Sequence, residues 1–197
     1  MKFISISLIK NEADIIELFI RINSRVIDHF FIVDNGSTDN TVKIIEKLRD
    51  EGYKITLYSD PTTAYDQEKM TTRAFRTASK STQFDWAFFL DADEFINIPK
   101  QKIEEELFTI KNPSFVAGLR WATWVPKADI YYDYRNPLWS CFERKAEEET
   151  VFTKVIIPYN LAQDTMVSLG NHDALLMYDR TSLDSKFRSE EHTSELQ

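Results

Sequence analysis

The sequence predicts an α/β fold with three layers, in which a mixed, mostly parallel sheet lies between two layers of helices. Apolar runs typical of buried strands recur through the first half of the chain, and segments with the apolar spacing of a helix lie between them. The run at 86–90, Trp-Ala-Phe-Phe-Leu, is apolar throughout, which is typical of a central strand covered on both faces. These observations predict the fold class.

The elements follow one another in a regular order. A buried strand opens the chain, and a helix with apolar residues three and four apart follows it. Another helix begins after Ser37 or Asp39, either of which can cap it, and ends before Gly52. We predict strands at 3–9, 29–33, 54–58 and 86–90, and the other helices at 13–26, 67–79 and 102–107.

The pattern changes in the second half of the chain. Strand-like stretches follow without clear helices between them, which predicts an antiparallel addition to the sheet. Trp121, Trp124 and Trp139 lie there; packing in the core is the first interpretation of each, and stacking against a sugar is the second. The predicted strands are 115–125, 130–134, 138–142 and 151–157.

The composition limits the class of protein. A chain of 197 residues with 43% hydrophobic and 28% charged residues is typical of a globular protein with its own core. The net charge of −8 argues against binding of nucleic acid, which needs a basic face. A phosphorylated small ligand is still compatible with this charge if a divalent cation lies between ligand and protein.

The apolar run after Met1-Lys2 allows two interpretations, a signal peptide and a buried strand. The apolar run at 3–9 is short, has no small-residue cleavage site and meets Lys10 at once, so a buried strand explains it better. No apolar stretch has the length of a membrane span. Cys141 cannot form an internal disulfide and is interpreted as a buried apolar group. We expect a cytoplasmic protein, for which peripheral docking on the cytoplasmic membrane face stays open.

The last ten residues resemble the translation of a sequencing-adapter oligonucleotide read in frame. Such segments are left out of fold reasoning. We therefore expect a single domain over 1–187, truncated at its C-terminal end, and an artefactual tail at 188–197, in which His192 has no role. A genuine polar tail is the alternative.

Polar residues follow three of the predicted strands at their carboxyl ends. In open α/β sheets, ligands bind in the crevice outside these ends, so three such segments at one edge indicate a binding site. The segments are Lys10-Asn11-Glu12, Asp34-Asn35-Gly36-Ser37 and Asp91-Ala92-Asp93-Glu94.

Asp91 and Asp93 are the sharpest candidates for a metal site. In an extended chain, residues two apart point the same way, so both carboxylates would face one side of the strand end. Two carboxylates beside an apolar strand repel each other, and a magnesium or manganese ion, which suits oxygen ligands, relieves that repulsion. Local capping of the following turn is the alternative interpretation.

Asp34 allows two interpretations. It begins a turn into the second helix, in which Gly36 can adopt a positive φ. Its carboxylate could equally accept hydrogen bonds from a base or a ribose at the mouth of the crevice. The residues leave both interpretations open.

In their order and spacing, the three segments resemble the motifs of family 2-like glycosyltransferases over roughly the first half of the chain. The resemblance implies a GT-A fold, a nucleotide-diphosphate sugar as donor, a divalent metal (Mn²⁺ or Mg²⁺) on the Asp-x-Asp motif, and inversion at the anomeric carbon. It implies that Asp34 contacts the nucleoside, Asp91 the ribose side, and Asp93 the metal and diphosphate. The matching residues are Lys10-Asn11-Glu12, Val33-Asp34-Asn35-Gly36-Ser37-Thr38-Asp39-Asn40-Thr41 and Phe89-Leu90-Asp91-Ala92-Asp93-Glu94-Phe95.

Residues farther along the chain match the family less closely. Lys154 followed by His172 is similar to a Lys…His pattern of some relatives, in which the Lys neutralises the diphosphate and the His completes the metal shell. For His172 a packing role stays open. Gln67, Lys69 and Arg73 on the third predicted helix face either the donor or solvent. The family's Gly-rich segment is missing before that helix, where 62–66 is Thr-Thr-Ala-Tyr-Asp.

Together these interpretations give one expected site. Its catalytic residues would be Asp93 and Glu94, and the base that activates the acceptor stays open between Glu94, Asp129, Asp133 and Glu143. The donor would contact Asn11, Glu12, Asp34, Asn35, Ser37, Lys69, Arg73, Asp91 and Lys154. The metal would be held by Asp91, Asp93 and His172.

We expect a glycosyltransferase that moves a sugar to a hydroxyl of a saccharide or lipid-linked acceptor and has no nucleic-acid partner. Two alternatives stay open. One is a non-catalytic or truncated module that binds a sugar nucleotide. The other is a haloacid-dehalogenase-like phosphatase, in which Asp91 would be the nucleophile, although Phe95 stands where that pattern has Thr or Val.

Overall fold

The structure, a computed structural model, describes residues 1–61, 66–110, 116–120, 123–126, 142–144 and 153–176. Its strands are β1 Phe3–Ile9, β2 His29–Asp34, β3 Ile55–Ser59, β4 Trp86–Phe89, β5 Ala117–Arg120, β6 Trp124–Pro126, β7 Phe142–Arg144, β8 Thr153–Pro158, β9 Thr165–Val167 and β10 Ala174–Leu176. Its α-helices are α1 Ile16–Asn23, α2 Thr41–Asp50, α3 Gln67–Ser81 and α4 Lys100–Phe108, and its 3-10 helices are Tyr159–Leu161 and Leu169–Asn171.

Six of these strands form one mixed sheet in the order β3-β2-β1-β4-β8-β5. Strands β1 to β4 run parallel to one another, whereas β8 runs antiparallel to both of its neighbours, β4 and β5. Two further pairs, β9 with β10 and β6 with β7, are antiparallel. The predicted α/β class, the mostly parallel sheet and the antiparallel addition are therefore confirmed.

Helices cover both faces of the sheet. Successive side chains of a strand point to opposite faces, so each strand contributes to two cores. Trp86 and Phe88 of β4 share a core with α1, α2 and α4, and Ala87 and Phe89 share a second core with α3. All four side chains are buried. This burial on two faces explains why β4 carries no polar residue, and it confirms the three layers.

Two elements differ from the sequence prediction. The helix expected at 13–26 covers only Ile16–Asn23, since the carbonyls of Glu12 and Asn23 accept hydrogen bonds from turns that flank it. The strand expected at 115–125 is divided between β5 and β6, which lie in different sheets. The prediction of a single strand over 115–125 was therefore wrong, because apolar residues continue through two strands that belong to different sheets.

The second helix ends as expected but begins one residue later than a cap at Asp39 predicts. Its N-cap is Asn40, whose side chain makes no capping hydrogen bond, and Asp39 Oδ1 accepts from the amide of Thr41, the first residue of α2, at 3.0 Å. Gly52 lies past the end of the helix with a φ of 104°, a conformation in which glycine is favoured.

Several predicted features lie outside the described residues. They are the strand at 130–134, all of 138–142 except the backbone of Phe142, the side chains of Trp121, Trp124 and Trp139, Cys141, and the tail with His192. In the part of the chain that is described, no helix is long and apolar enough to cross a lipid bilayer.

His29, the first residue of β2, gives this fold a dependence on pH. Its Nε2 lies 2.9 Å from Thr56 Oγ1, and its ring centroid lies 4.3 Å from that of Phe31. Burial, and then the charges of Lys2 and Lys54, lower the pKa of His29. Because the unfolded chain, with a histidine pKa of about 6.5, then binds more protons than the folded one, His29 destabilises the fold as pH falls below that value.

We therefore predict that His29→Gln loses less stability than the wild type between about pH 7.5 and about pH 5.5. Urea denaturation at both pH values gives the two free energies of unfolding. Their difference should shift in favour of the variant at the lower pH, because glutamine does not titrate. A difference that is the same at both pH values would contradict the prediction.

Candidate functional site

The carboxyl ends of β1, β2 and β4 lie side by side, because these strands are neighbours in the sheet and run parallel. Ile9 pairs with Asp34, and the amide of Asn35 donates to the Ile9 carbonyl at 2.9 Å. On the other side of β1, the amide of Leu90 donates to the Ile6 carbonyl at 3.2 Å. The three polar segments predicted from the sequence therefore lie along one edge of the sheet, as expected.

The segments after β1 and β2 are cross-linked by hydrogen bonds. The amide of Asn11 donates to Ser37 Oγ at 2.8 Å, and Asn11 Oδ1 accepts from the amide of Thr38 at 2.8 Å. The amide of Glu12 donates to Thr41 Oγ1 at 2.8 Å. Asn11 has a φ of 58°, which asparagine tolerates better than most residues. Asn11 and Ser37 thus hold the segments after β1 and β2 together, and their contact with a donor stays a prediction.

Asp34 and Asn35 form the base of the turn after β2. Both residues are buried, and both carboxylate oxygens of Asp34 lie 3.2 Å from the amide of Ser37. The side-chain amide of Asn35 donates to the Asp60 carbonyl at 2.8 Å. Gly36 has a φ of 75°, as its turn position requires. The turn-making interpretation of Asp34 is therefore correct, and its contact with a nucleoside stays a prediction.

The Asp-x-Asp segment is a turn and not an extended strand end, which corrects the geometry expected from the sequence. Strand β4 ends at Phe89, and the amide of Glu94 donates to the Asp91 carbonyl at 3.1 Å. The amide of Asp91 in return donates to Glu94 Oε2 at 3.0 Å, and this local bond favours the turn. Because a turn changes the direction of successive side chains, Asp91 is half-buried whereas Asp93 is exposed.

Lys154 of β8 holds this turn from the inside. Its Nζ lies 2.8 Å from Asp91 Oδ2, 3.0 Å from Glu94 Oε1 and 3.0 Å from the carbonyl oxygen of Gly170. Burial raises the pKa of Glu94 to about 7, although the charge of Lys154 opposes this. Burial alone would lower the pKa of Lys154, but Glu94 and Asp91 raise it. The sequence analysis placed Lys154 at the donor and Glu94 among the catalytic residues. In the structure, the two side chains form an ion pair with each other.

The turn from Leu169 to His172 lies against the same ammonium group. Gly170 and Asn171 have φ values of 77° and 60°, and the Gly170 amide donates to Gln67 Oε1 at 3.3 Å. Asn171 is buried, and its Nδ2 lies 3.4 Å from Asp91 Oδ1. Asn171 therefore joins the site, although no pattern in the sequence pointed to it.

The tautomer of His172 follows from its partner. The Nδ1 atom lies 3.0 Å from the carbonyl oxygen of Thr153. A carbonyl can only accept, so Nδ1 carries the proton and the lone pair of the neutral ring is on Nε2. This is the nitrogen arrangement of a metal-binding histidine whose other nitrogen is held by the protein.

The acidic groups of the edge suit a divalent cation. Burial raises the pKa of Glu12 most, and neighbouring carboxylates raise it further. These carboxylates belong to Asp14, Asp93, Asp39 and Asp91. Oxygen donors and concentrated negative charge are what Mg²⁺ and Mn²⁺ require. In the described residues, however, no three His, Cys, Asp or Glu side chains lie together as a metal site, so the predicted set of Asp91, Asp93 and His172 is not assembled.

The other expected residues lie apart from the carboxylates or outside the described residues. Lys69 is 81% exposed and pairs with Asp66 at 2.7 Å, the residue that caps α3. Arg73 is 67% exposed and pairs with Asp60, beside the turn after β2. The candidate bases Asp129, Asp133 and the side chain of Glu143 lie outside the described residues.

Asn23 is a second residue that the sequence analysis missed. It is fully buried in α1, and its side chain donates to the Glu94 carbonyl and accepts from the Ile96 amide, both at 2.8 Å. It therefore fixes the chain directly after the Asp-x-Asp turn. The available signal was its spacing, seven residues after Ile16 on the apolar face of the helix, where a polar residue needs a partner.

A family model described as glycosyl transferase family 2 matches residues 6–168. No curated protein matches this chain. Among solved structures, the chain is similar to TarS 1-349 from S. aureus in complex with UDP, with 18% identity, 83% of this chain and 48% of that chain covered, and a TM-score of 0.51. This similarity indicates the fold, which is GT-A, as the resemblance implied.

Two further solved structures are similar over a smaller part of the chain. A mannosyltransferase from Pyrobaculum calidifontis in complex with GDP-Man and Mn²⁺ has 17% identity, coverage of 60% of this chain and 35% of that one, and a TM-score of 0.48. Glucosyl-3-phosphoglycerate synthase from Mycobacterium tuberculosis, in complex with Mn²⁺, UDP and glucosyl-3-phosphoglycerate, is 21% identical. The match covers 59% of this chain and 42% of that one, with a TM-score of 0.38. The present chain spans less than half the length of each of the three structures.

We predict that Asn23→Ala lowers the free energy of unfolding by about 2–4 kcal/mol. Two backbone groups lose their partner, and because both are only partly buried, each loss lies in the lower part of the range of about 1–3 kcal/mol. Urea denaturation measures the loss. Asn97→Ala is the matched control, since Asn97 is exposed in the same segment and its loss should stay within about 0.5 kcal/mol. Equal losses in the two variants would show that Asn23 does not hold the segment.

Proposed function

The chain belongs to glycosyl transferase family 2, and from this premise we propose that it transfers a sugar from a nucleotide-diphosphate donor to an acceptor hydroxyl. One observation supports the proposal most directly. Three polar segments converge at the carboxyl edge of the parallel strands, where ligands of α/β sheets bind. The chain spans only part of the length of the structures it is similar to, so its activity as an enzyme is itself part of the proposal.

The nucleoside would lie over the ends of β1 and β2. The turn there is rigid, because Asp34 and Asn35 are buried and hydrogen-bonded. The pair of Arg73 and Asp60 borders it from the side of α3. A rigid turn with polar groups at its rim can hold a base and a ribose with little loss of entropy on binding.

A divalent cation would be held chiefly by the exposed Asp93. Asp91 and His172 Nε2 would be weaker ligands, because Asp91 is already paired with Lys154 and the described residues do not bring the three side chains together. When bound, such an ion neutralises charge that develops on a leaving diphosphate. Asp93 suits a ligand role since its carboxylate is exposed at the edge. Glu12, whose pKa is raised by burial and by nearby carboxylates, would be stabilised in its charged form by the same cation.

The acceptor hydroxyl must lose a proton during the transfer, and a carboxylate is the base we propose. Glu94 suits this role poorly, because its side chain is 10% exposed and paired with Lys154. The base is therefore sought among Asp129, Asp133 and Glu143. Inversion at the anomeric carbon and a saccharide or lipid-linked acceptor are parts of the same proposal.

Of the two alternatives, the phosphatase has no support from the family assignment. The non-catalytic module shares the donor site of the enzyme and differs only in turnover. Release of nucleotide diphosphate from a sugar nucleotide, followed over time, separates an enzyme from a binding module. No release despite tight binding would favour the module.

We predict that one nucleotide diphosphate raises the Tm of the full chain in the presence of Mn²⁺. UDP is the first probe, since it accompanies a similar solved structure, and GDP is the second. A ligand at a hundred times its Kd adds about 2.7 kcal/mol, which for a chain of this size is a rise of about 5–10 °C. Asp93→Asn should abolish the rise.

Asp50→Asn, an exposed change at the end of α2, is the matched control and should keep the full rise. The proposal would be wrong if no nucleotide raised the Tm of a protein that still melts cooperatively. A rise that is independent of Mn²⁺ and unchanged in Asp93→Asn would retain the donor but remove the metal from the proposal.

A further inference from the structure

Lys154 carries its charge where water hardly reaches. The residue is 6% exposed, and its Nζ lies within 3.0 Å of the carboxylates of Asp91 and Glu94 and of the carbonyl oxygen of Gly170. An ammonium group has three N–H donors and no acceptor. Its donors therefore find acceptors inside the protein, and the group belongs to a buried ion pair.

We propose that Lys154 is an internal counter-ion that positions Asp91 and Glu94 and does not bind the diphosphate of the donor. The inference rests on the proposed function where it concerns the metal and the donor. Its electrostatic part concerns the folded chain alone.

The burial of Glu94 is the first argument. A diphosphate could reach Nζ of Lys154 only by displacing one of its acceptors in the protein. The Glu94 side chain is 10% exposed, so its displaced carboxylate would remain in the protein without its cation. Removing one partner of a buried ion pair is strongly unfavourable, because the other charge is left uncompensated.

The second argument is that Asp91 is held at both of its oxygens. Lys154 binds Oδ2, and Asn171 Nδ2 lies 3.4 Å from Oδ1. Both partners come from one segment, 63 and 80 residues later in the chain. Two partners on one side fix the plane of the carboxylate, which is what a positioning role requires.

The consequence concerns the metal. A divalent cation that approaches Asp91 meets a positive charge 2.8 Å from one of its oxygens. The ammonium group repels a cation that binds the same carboxylate, so Lys154 weakens binding at Asp91 and leaves the exposed Asp93 as the principal ligand. If Lys154 is a counter-ion, removal of its charge should strengthen metal binding. If Lys154 were only a diphosphate ligand, its removal would leave metal binding unchanged.

The first experiment is a double-mutant cycle read as Tm on the full chain. Lys154→Met should lower the Tm, since it leaves two carboxylates facing each other. Adding Glu94→Gln to it should recover about 4 °C or more, because the uncompensated charge is then removed. Lys43→Met, an exposed change of equal charge, should leave the Tm nearly unchanged. Additive losses of Lys154→Met and Glu94→Gln would overturn the counter-ion role.

The second experiment measures Mn²⁺ affinity without nucleotide, by calorimetry or by electron paramagnetic resonance. Lys154→Met should bind Mn²⁺ more tightly than Lys43→Met, on the order of tenfold, or about 1.4 kcal/mol. Metal-free affinity for UDP should be equal in the two variants. If Lys154→Met does not fold, the same comparison is made between Glu94→Gln and the double variant.

Weaker UDP binding with unchanged Mn²⁺ affinity would identify Lys154 as a diphosphate ligand and overturn the inference. A wild-type chain that binds neither Mn²⁺ nor nucleotide would contradict the proposed function instead. The double-mutant cycle still decides the counter-ion role in that case, because it needs no ligand. The failures of the two proposals are therefore distinguishable.

Discussion

The parallel pairing of β1 with β2 and β4 is the constraint on which the site depends. Parallel neighbours end at the same edge of a sheet, so the polar residues that follow each strand must meet there. Burial of β4 on both faces keeps this arrangement in place, since its apolar side chains serve the cores on the two sides. The edge is therefore acidic because of topology and not because of any single motif.

The charges along this edge divide into two groups with different physics. Asp91 and Glu94 are gathered by the buried ammonium of Lys154, and their electrostatic cost is compensated inside the protein. Glu12 and Asp93 lie in the other group, in which burial, and then neighbouring carboxylates, raise the pKa of Glu12. On the proposed function, a divalent cation and the lysine then serve different carboxylates of one edge, and the two positive charges need not compete for the same place.

Two buried asparagines give the Asp-x-Asp turn its position. Asn23 binds the backbone after the turn from the side of α1, and Asn171 approaches Asp91 from the side of the turn after β9. A buried amide group is costly unless its hydrogen bonds are made, and Asn23, which uses both of its polar side-chain atoms, specifies one position of the chain after the turn. Through these contacts, helix α1 and the segment after β9 both bind the chain between Asp91 and Ile96.

The sequence by itself determined the α/β class, the strands that end in polar residues, and the edge at which they meet. It could do so because apolar periodicity and polar strand ends are local signals, legible within a few residues of the chain. It was wrong about the extended Asp91 and Asp93, it did not divide β5 from β6, and it did not pair Lys154 with Asp91 and Glu94. Those features were decided by the tertiary structure. The partner of Asp91 lies 63 residues away, and only the insertion of β8 antiparallel to β4 brings its charge into the turn.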